Sequence, residues 1–158
     1  SELISGLFYN YAVVDVPQLV SNLGEAHPEK WLERDVDRSV AGKAVEYLIH
    51  LLRTVTPGAK FGATAPLAYA DLVLVEMGER QPRSLANAFS EPVGLGHGNL
   101  LNESLGRLKT YLDGMDAMYG SHETRLVACV REAPFSGRIA LSGLAESVRK
   151  AIESGICG

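Results

Sequence analysis

Short apolar runs that alternate with amphipathic stripes decide what this chain can build. Residues 7–16 (LFYNYAVVDV), 71–77 (DLVLVEM) and 124–130 (TRLVACV) are short, and rich in β-branched and other apolar side chains. Each reads as a strand. In the first, Leu7, Tyr9, Tyr11 and Val13 share one face, and Phe8, Ala12, Val14 and Val16 the other, so both faces are apolar and an inner strand is expected. Between and after these runs the period changes. Val36, Val40, Ala44, Leu48 and Leu52 recur at four-residue steps, joined by Val45, Ile49 and Val55, with Asp35 placed to cap the start and Thr56, Pro57 and Gly58 to end the helix. Leu101, Leu105, Leu108, Leu112, Met115 and Tyr119 form a second stripe, and Leu144, Val148 and Ile152 a third, with Ser142 as its cap. Pro17 and Gly24 bracket one helical turn, and Pro82 opens another with Leu85, Ala88 and Phe89 on one side.

The order is therefore strand, helix, strand, helix, strand, helix. Two architectures fit: a small parallel α/β sheet with right-handed crossovers, or a split βαβ of the ferredoxin or RNA-recognition type.

The 158 residues suffice for one domain with a real core. With 46% hydrophobic and 22% charged residues, the chain has the composition of a folded globular protein rather than a disordered one. No apolar run reaches the roughly 18 residues of a membrane helix, and no signal peptide stands at the start, so no membrane partner is expected. Cys129 and Cys157 are the only cysteines and form no CxxC motif, which suits a reducing cytoplasm better than a disulfide framework. A net charge of −4 argues against coating nucleic acid by bulk positive charge, but leaves room for a local cationic strip.

Motifs for catalysis are scarce. His27, His50, His97 and His122 give no compact ligand spacing, and there is no GxSxG. Glu33, Asp35 and Asp37 interleave with Arg34 and Arg38 and read as a solvated helix start. No metal, cofactor or catalytic residue is expected. The glycine-rich segment 91–99 around His97 matches neither phosphate-loop pattern, and reads as a turn or, in a competing reading, as the ligand loop of a small α/β enzyme or binding domain. Tyr9 and Tyr11 are either core or a stacking platform for bases. The segment TVTPGAKFGA offers one cation, Lys60, among small neighbours that leave the backbone open. Lys60 either offsets the dipole of the preceding helix or meets a phosphate backbone.

The residues FYNYA, PGAK and QPRSLANAF, in that order and spacing, resemble the C-terminal half of the CasC family over residues 5–93. CasC proteins are the repeated backbone subunits of Cascade, the type I-E CRISPR surveillance complex. From Gly94 onward only the pattern of helix, strand and helix is shared. The resemblance implies an α+β fold, a ferredoxin-like, RNA-recognition-type palm of the RAMP superfamily, incomplete because the N-terminal half is absent. Residues 1–158 would be a single domain: 1–6 the end of the thumb, 7–93 the palm core, 94–158 the C-terminal helices and strand. It implies a non-catalytic role, in which the protein grips guide-RNA backbone while base pairing with target DNA reads the sequence. The partners implied are CRISPR guide RNA, further copies of the chain in a helical backbone, other Cascade subunits and, through the guide, target DNA. The RNA contacts implied are Gly58, Ala59, Lys60 and Phe61. Arg80 and Arg83 either contact phosphates too or pair with Glu79 and Glu76.

Overall fold

The computed structural model describes residues 7–24, 26–54, 69–91, 93, 99–132 and 134–156. It is α+β, with helices α1 (Val16–Asn22), α2 (Ser39–Thr54), α3 (Leu100–Tyr119) and α4 (Leu141–Ser154), and strands β1 (Leu72–Met77) and β2 (Thr124–Cys129). Two compact units divide the chain. One comprises Val14–Glu79, Glu123–Arg131 and Gly137–Gly158, the other Ser1–Val13, Arg80–His122 and Glu132–Ser136.

The first unit holds α1, α2, α4 and the sheet. Asp15 opens α1: its carboxylate accepts the Gln18 N–H at 3.0 Å, and Pro17 brings a preset φ to the first turn. This corrects the expectation of a strand over residues 7–16. Residues 15 and 16 are committed to a helix start, and residues 7–13 carry no ladder. Alternating aromatics alone do not make a strand, because its stability comes from cross-strand neighbours.

Helix α2 starts later than expected, and from another cap. The Asp37 carboxylate, not Asp35, accepts the Ser39 N–H at 2.8 Å. That bond holds the Asp37 carboxyl below its ordinary value of 3.8. The buried face also differs from the four-residue stripe. Val45 and Ile49 are buried as expected, but Ala41 and Gly42 join them, whereas Val40, Ala44 and Leu52 are exposed. Gly42 explains the choice. A Cβ there would lie 3.1 Å from the Arg149 carbonyl oxygen and from Glu153 Cγ, so the missing side chain lets α4 lie close on that side. From α4, Leu144, Ala145, Val148 and Ile152 complete a core with Val20 and Ala128. Its cap position is Ala140 rather than Ser142. Arg149 spans the two helices, with Nε 3.1 Å from Glu46 on α2 and Nη1 2.9 Å from Glu153 on its own helix. Arg38 ties the chain before α2 to the end of α4 by donating to the Glu153 carbonyl at 3.2 Å.

The sheet is antiparallel, which corrects the small parallel α/β reading. The register pairs Leu72 with Cys129, Leu74 with Val127 and Glu76 with Arg125. Val73, Val75, Met77 and Leu126 pack against the helical core. Arg125 Nε and Nη2 lie 2.9 and 2.8 Å from Glu76 Oε1. Strand order along the chain fixed no direction here, because the connection through α3 is long enough for either orientation. The outer side of β2 carries one isolated parallel bridge, from Val127 to Arg138.

The second unit is built on α3. Asn99 caps it by accepting the Leu101 N–H at 3.0 Å, and Leu105, Leu108 and Leu112 are buried along its stripe as the spacing predicts. The QPRSLANAF segment turns through a 3₁₀ helix, Ala86–Phe89. Tyr9 docks here: its hydroxyl accepts the Leu85 N–H at 3.0 Å, and its ring lies 5.8 Å from that of Phe89. Among the described residues no helix is long and apolar enough to cross a membrane.

Candidate nucleic-acid interface

Lys60, Gly58, Ala59 and Phe61 lie outside the described residues, as does His97. The two ends of the loop that carries Lys60 are described, and they meet. Arg53 sits in the last turn of α2, where a cation offsets the partial negative charge of the terminal carbonyls. Its own carbonyl accepts the Ala70 N–H at 3.3 Å. Its guanidinium carbon stands 4.4 Å from the centroid of the Tyr69 ring, a cation–π contact. Two links therefore close the loop base, one through the backbone and one through side chains. Beyond Tyr69 the chain enters β1, and the Val130 N–H donates to the Asp71 carbonyl at 3.0 Å, continuing the pairing past the strand's end. The Tyr69 side of this arrangement is open: the residue is 61% exposed.

Arg80 and Arg83 form a separate arrangement at the C-terminal end of α3. Arg80 donates through Nη1 to the Tyr119 carbonyl at 2.9 Å and through Nη2 to the Gly120 carbonyl at 3.2 Å. It thereby satisfies acceptors that every helix end leaves open. Gly120 has φ +82°, and a Cβ there would sit 2.6 Å from His122 Nε2, so the sharp turn after α3 needs a glycine. Arg83 Nη2 lies 2.9 Å from Asp116 Oδ1, with both side chains largely buried. Glu76, one of the carboxylates expected to meet these arginines, pairs with Arg125 across the strands.

The other expected groups separate as follows. Tyr9 is held by Leu85 and Phe89 rather than standing on a strand face, and Tyr11 is half exposed. Lys30 lies 3.7 Å from Glu33, and Asp37 caps α2, so the acidic run before α2 is a solvated helix start. Among the described residues, no three His, Cys, Asp or Glu side chains are grouped to hold a metal ion.

Arg53 and Tyr69 were missed by reading outward from Lys60. Their contact had no signal in the sequence, because the connection between them is long enough to hold its ends close together or far apart.

Comparison with curated proteins gives no match. The model of the CT1975-like protein family matches residues 1–153, nearly the whole chain. That match places the chain in the Cas_CT1975 family of CRISPR-associated proteins.

Proposed function

We propose that the chain is a non-catalytic, RNA-binding backbone subunit of a CRISPR surveillance complex, of the CasC type. It grips the guide-RNA backbone and leaves sequence reading to pairing with target DNA. The observation that carries this is membership of a CRISPR-associated family over residues 1–153. The fold lends support, because helices α2 and α4 cover one face of an antiparallel sheet, as in a palm of the RNA-recognition type.

Within this reading, Lys60 and its neighbours Gly58, Ala59 and Phe61 make the principal contact. A lone cation on an open backbone suits a phosphate, and phosphate contacts carry no base preference. Arg80 and Arg83 contribute less, since both already hold the end of α3. A repeated subunit presents the same contact at intervals along one RNA, so weak individual contacts add through effective concentration.

The test is purification of the assembly that contains this chain, extraction of its RNA, and comparison with Lys60→Glu. The expected result is co-purifying RNA, weakened about equally for unrelated guide sequences by the substitution. The log–log salt slope should fall by about 0.7 per lost phosphate contact on a single strand. An RNA-free assembly, an unchanged slope, or metal-dependent cutting of RNA by the wild-type chain overturns the reading.

A further inference from the structure

We propose that Arg53 and Tyr69 form a stacking subsite for one nucleobase of single-stranded RNA, a subsite that rests on the RNA-binding reading above. An aromatic side chain offers two faces, and the Arg53 guanidinium stands over one of them at 4.4 Å from the centroid. The residue is 61% exposed, so the guanidinium leaves much of it open to solvent. A ring backed by a cation is short of π-electron density, which favours stacking on an electron-rich base.

The platform is also fixed in place. Ala70 donates to the Arg53 carbonyl, so the backbone beside Tyr69 is pinned to the end of α2. Little ordering remains to be done when a base arrives, and pre-organisation of this kind raises affinity. Position adds the second element. Tyr69 and Arg53 flank the segment whose one cation, Lys60, is the phosphate contact proposed above. Cations that meet the backbone and aromatic faces that meet the bases together hold single strands without regard to sequence.

A purely structural role predicts something different, namely that the pair closes the loop and touches no ligand. Binding to oligoadenylate carrying one 2-aminopurine, compared with an abasic ribose-phosphate strand of equal length, separates the two. The full chain should quench 2-aminopurine fluorescence and prefer the base-bearing strand. Tyr69→Leu should lose about 5- to 150-fold of that preference, leaving abasic binding and its salt slope unchanged. Tyr69→Phe should keep the quenching, and Tyr69→Trp should bind at least as tightly as wild type. Should Tyr69→Leu fail to show native circular dichroism, the Phe and Trp variants decide. A loss of the base preference in Tyr69→Phe, or weaker binding by Tyr69→Trp, overturns the subsite. So does a natively folded Tyr69→Leu that keeps quenching and preference. If Lys60→Glu weakens binding while Tyr69→Leu does not, stacking alone falls. If the wild-type chain binds neither strand, the RNA-binding reading falls with it.

Discussion

In the unit that contains the sheet, Val20, Leu144, Ala145 and Ile152 have at most 1% of their surface exposed, and they belong to one core with Ala41, Val45 and Ile49 of α2. In the unit built on α3, apolar burial is narrower, and directed polar contacts fix the connecting segments. Tyr9 meets Leu85 N–H, Arg83 meets Asp116, Arg80 meets the carbonyls after α3, and Arg107 meets the Glu91 carbonyl at 2.9 Å. The contrast follows from composition. In the first unit Gly42 lets α2 lie close against α4 beside Arg149 and Glu153, and Ala41 and Ala145 share the core. The segment around QPRSLANAF has little regular structure to satisfy its own backbone, so side chains do so instead. The first unit should therefore respond to volume and the second to charge and hydrogen-bond geometry.

The largest effect expected is from Leu144→Ala. Removing a side chain with no exposure leaves a cavity, and chemical denaturation should show a loss of about 2–5 kcal/mol. The loss should hardly change with salt; a loss under about 1 kcal/mol would mean that this core is loosely packed and the contrast is false.

Next comes Arg83→Met. It leaves the Asp116 carboxylate without its Arg83 contact in a largely buried place, and a loss of about 1–3 kcal/mol is expected. Arg83→Met combined with Asp116→Leu should recover part of it, because an apolar pair needs no compensation. If the double variant is no better than the single, the pair is not what holds that segment, and the comparison loses its second half.

The smallest effect concerns Asp37 and sharpens the comparison by asking whether charge matters in the first unit at all. Its folded pKa is lowered, first by the Ser39 N–H. A lowered pKa means stability that is present above the unfolded value and lost as pH falls through the folded value. Asp37→Asn should therefore be less stable than wild type near neutral pH, and the gap should close in acid. A gap that persists unchanged in acid would show that the carboxylate charge is irrelevant there.

What was legible in the sequence, and what was not, divides along the same physical line. The runs 71–77 and 124–130 fall within a residue of β1 and β2, and the stripes of α3 and α4 bury Leu105, Leu108, Leu112, Leu144, Val148 and Ile152 as spaced. Those features depend on local periodicity, which one segment carries by itself. The run over residues 7–16 failed because a strand is a relation between segments, and Asp15 with Pro17 made a helix start competitive. On α2, Val45 and Ile49 are buried as the spacing predicts, but Val40, Ala44 and Leu52 are exposed, since Gly42 and the approach of α4 decide the buried face. At the candidate interface, Lys60 was visible as a lone cation in a small-residue loop. The partners of Arg80 and Arg83 were not visible, because Asp116 and the end of α3 lie far along the chain. Nor was the contact of Arg53 with Tyr69, which depends on how the loop closes.

The facing of Glu76 and Arg125 has a consequence for how the chain avoids error. Hydrophobic pattern does little to fix the register of β1 against β2, because Leu72 to Val75 and Leu126 to Ala128 are apolar at every position. It cannot reject a slip of two, which keeps the faces and merely shifts the partners. Each strand contains a single charged residue, and the correct register is the one in which these oppose. Slipped by two in one direction, Glu76 would face Val127; slipped by two in the other, Arg125 would face Leu74 and Glu76 would face the like-charged Glu123, and either arrangement costs free energy. The ion pair thus singles out the native alignment among those that hydrophobic pattern leaves degenerate.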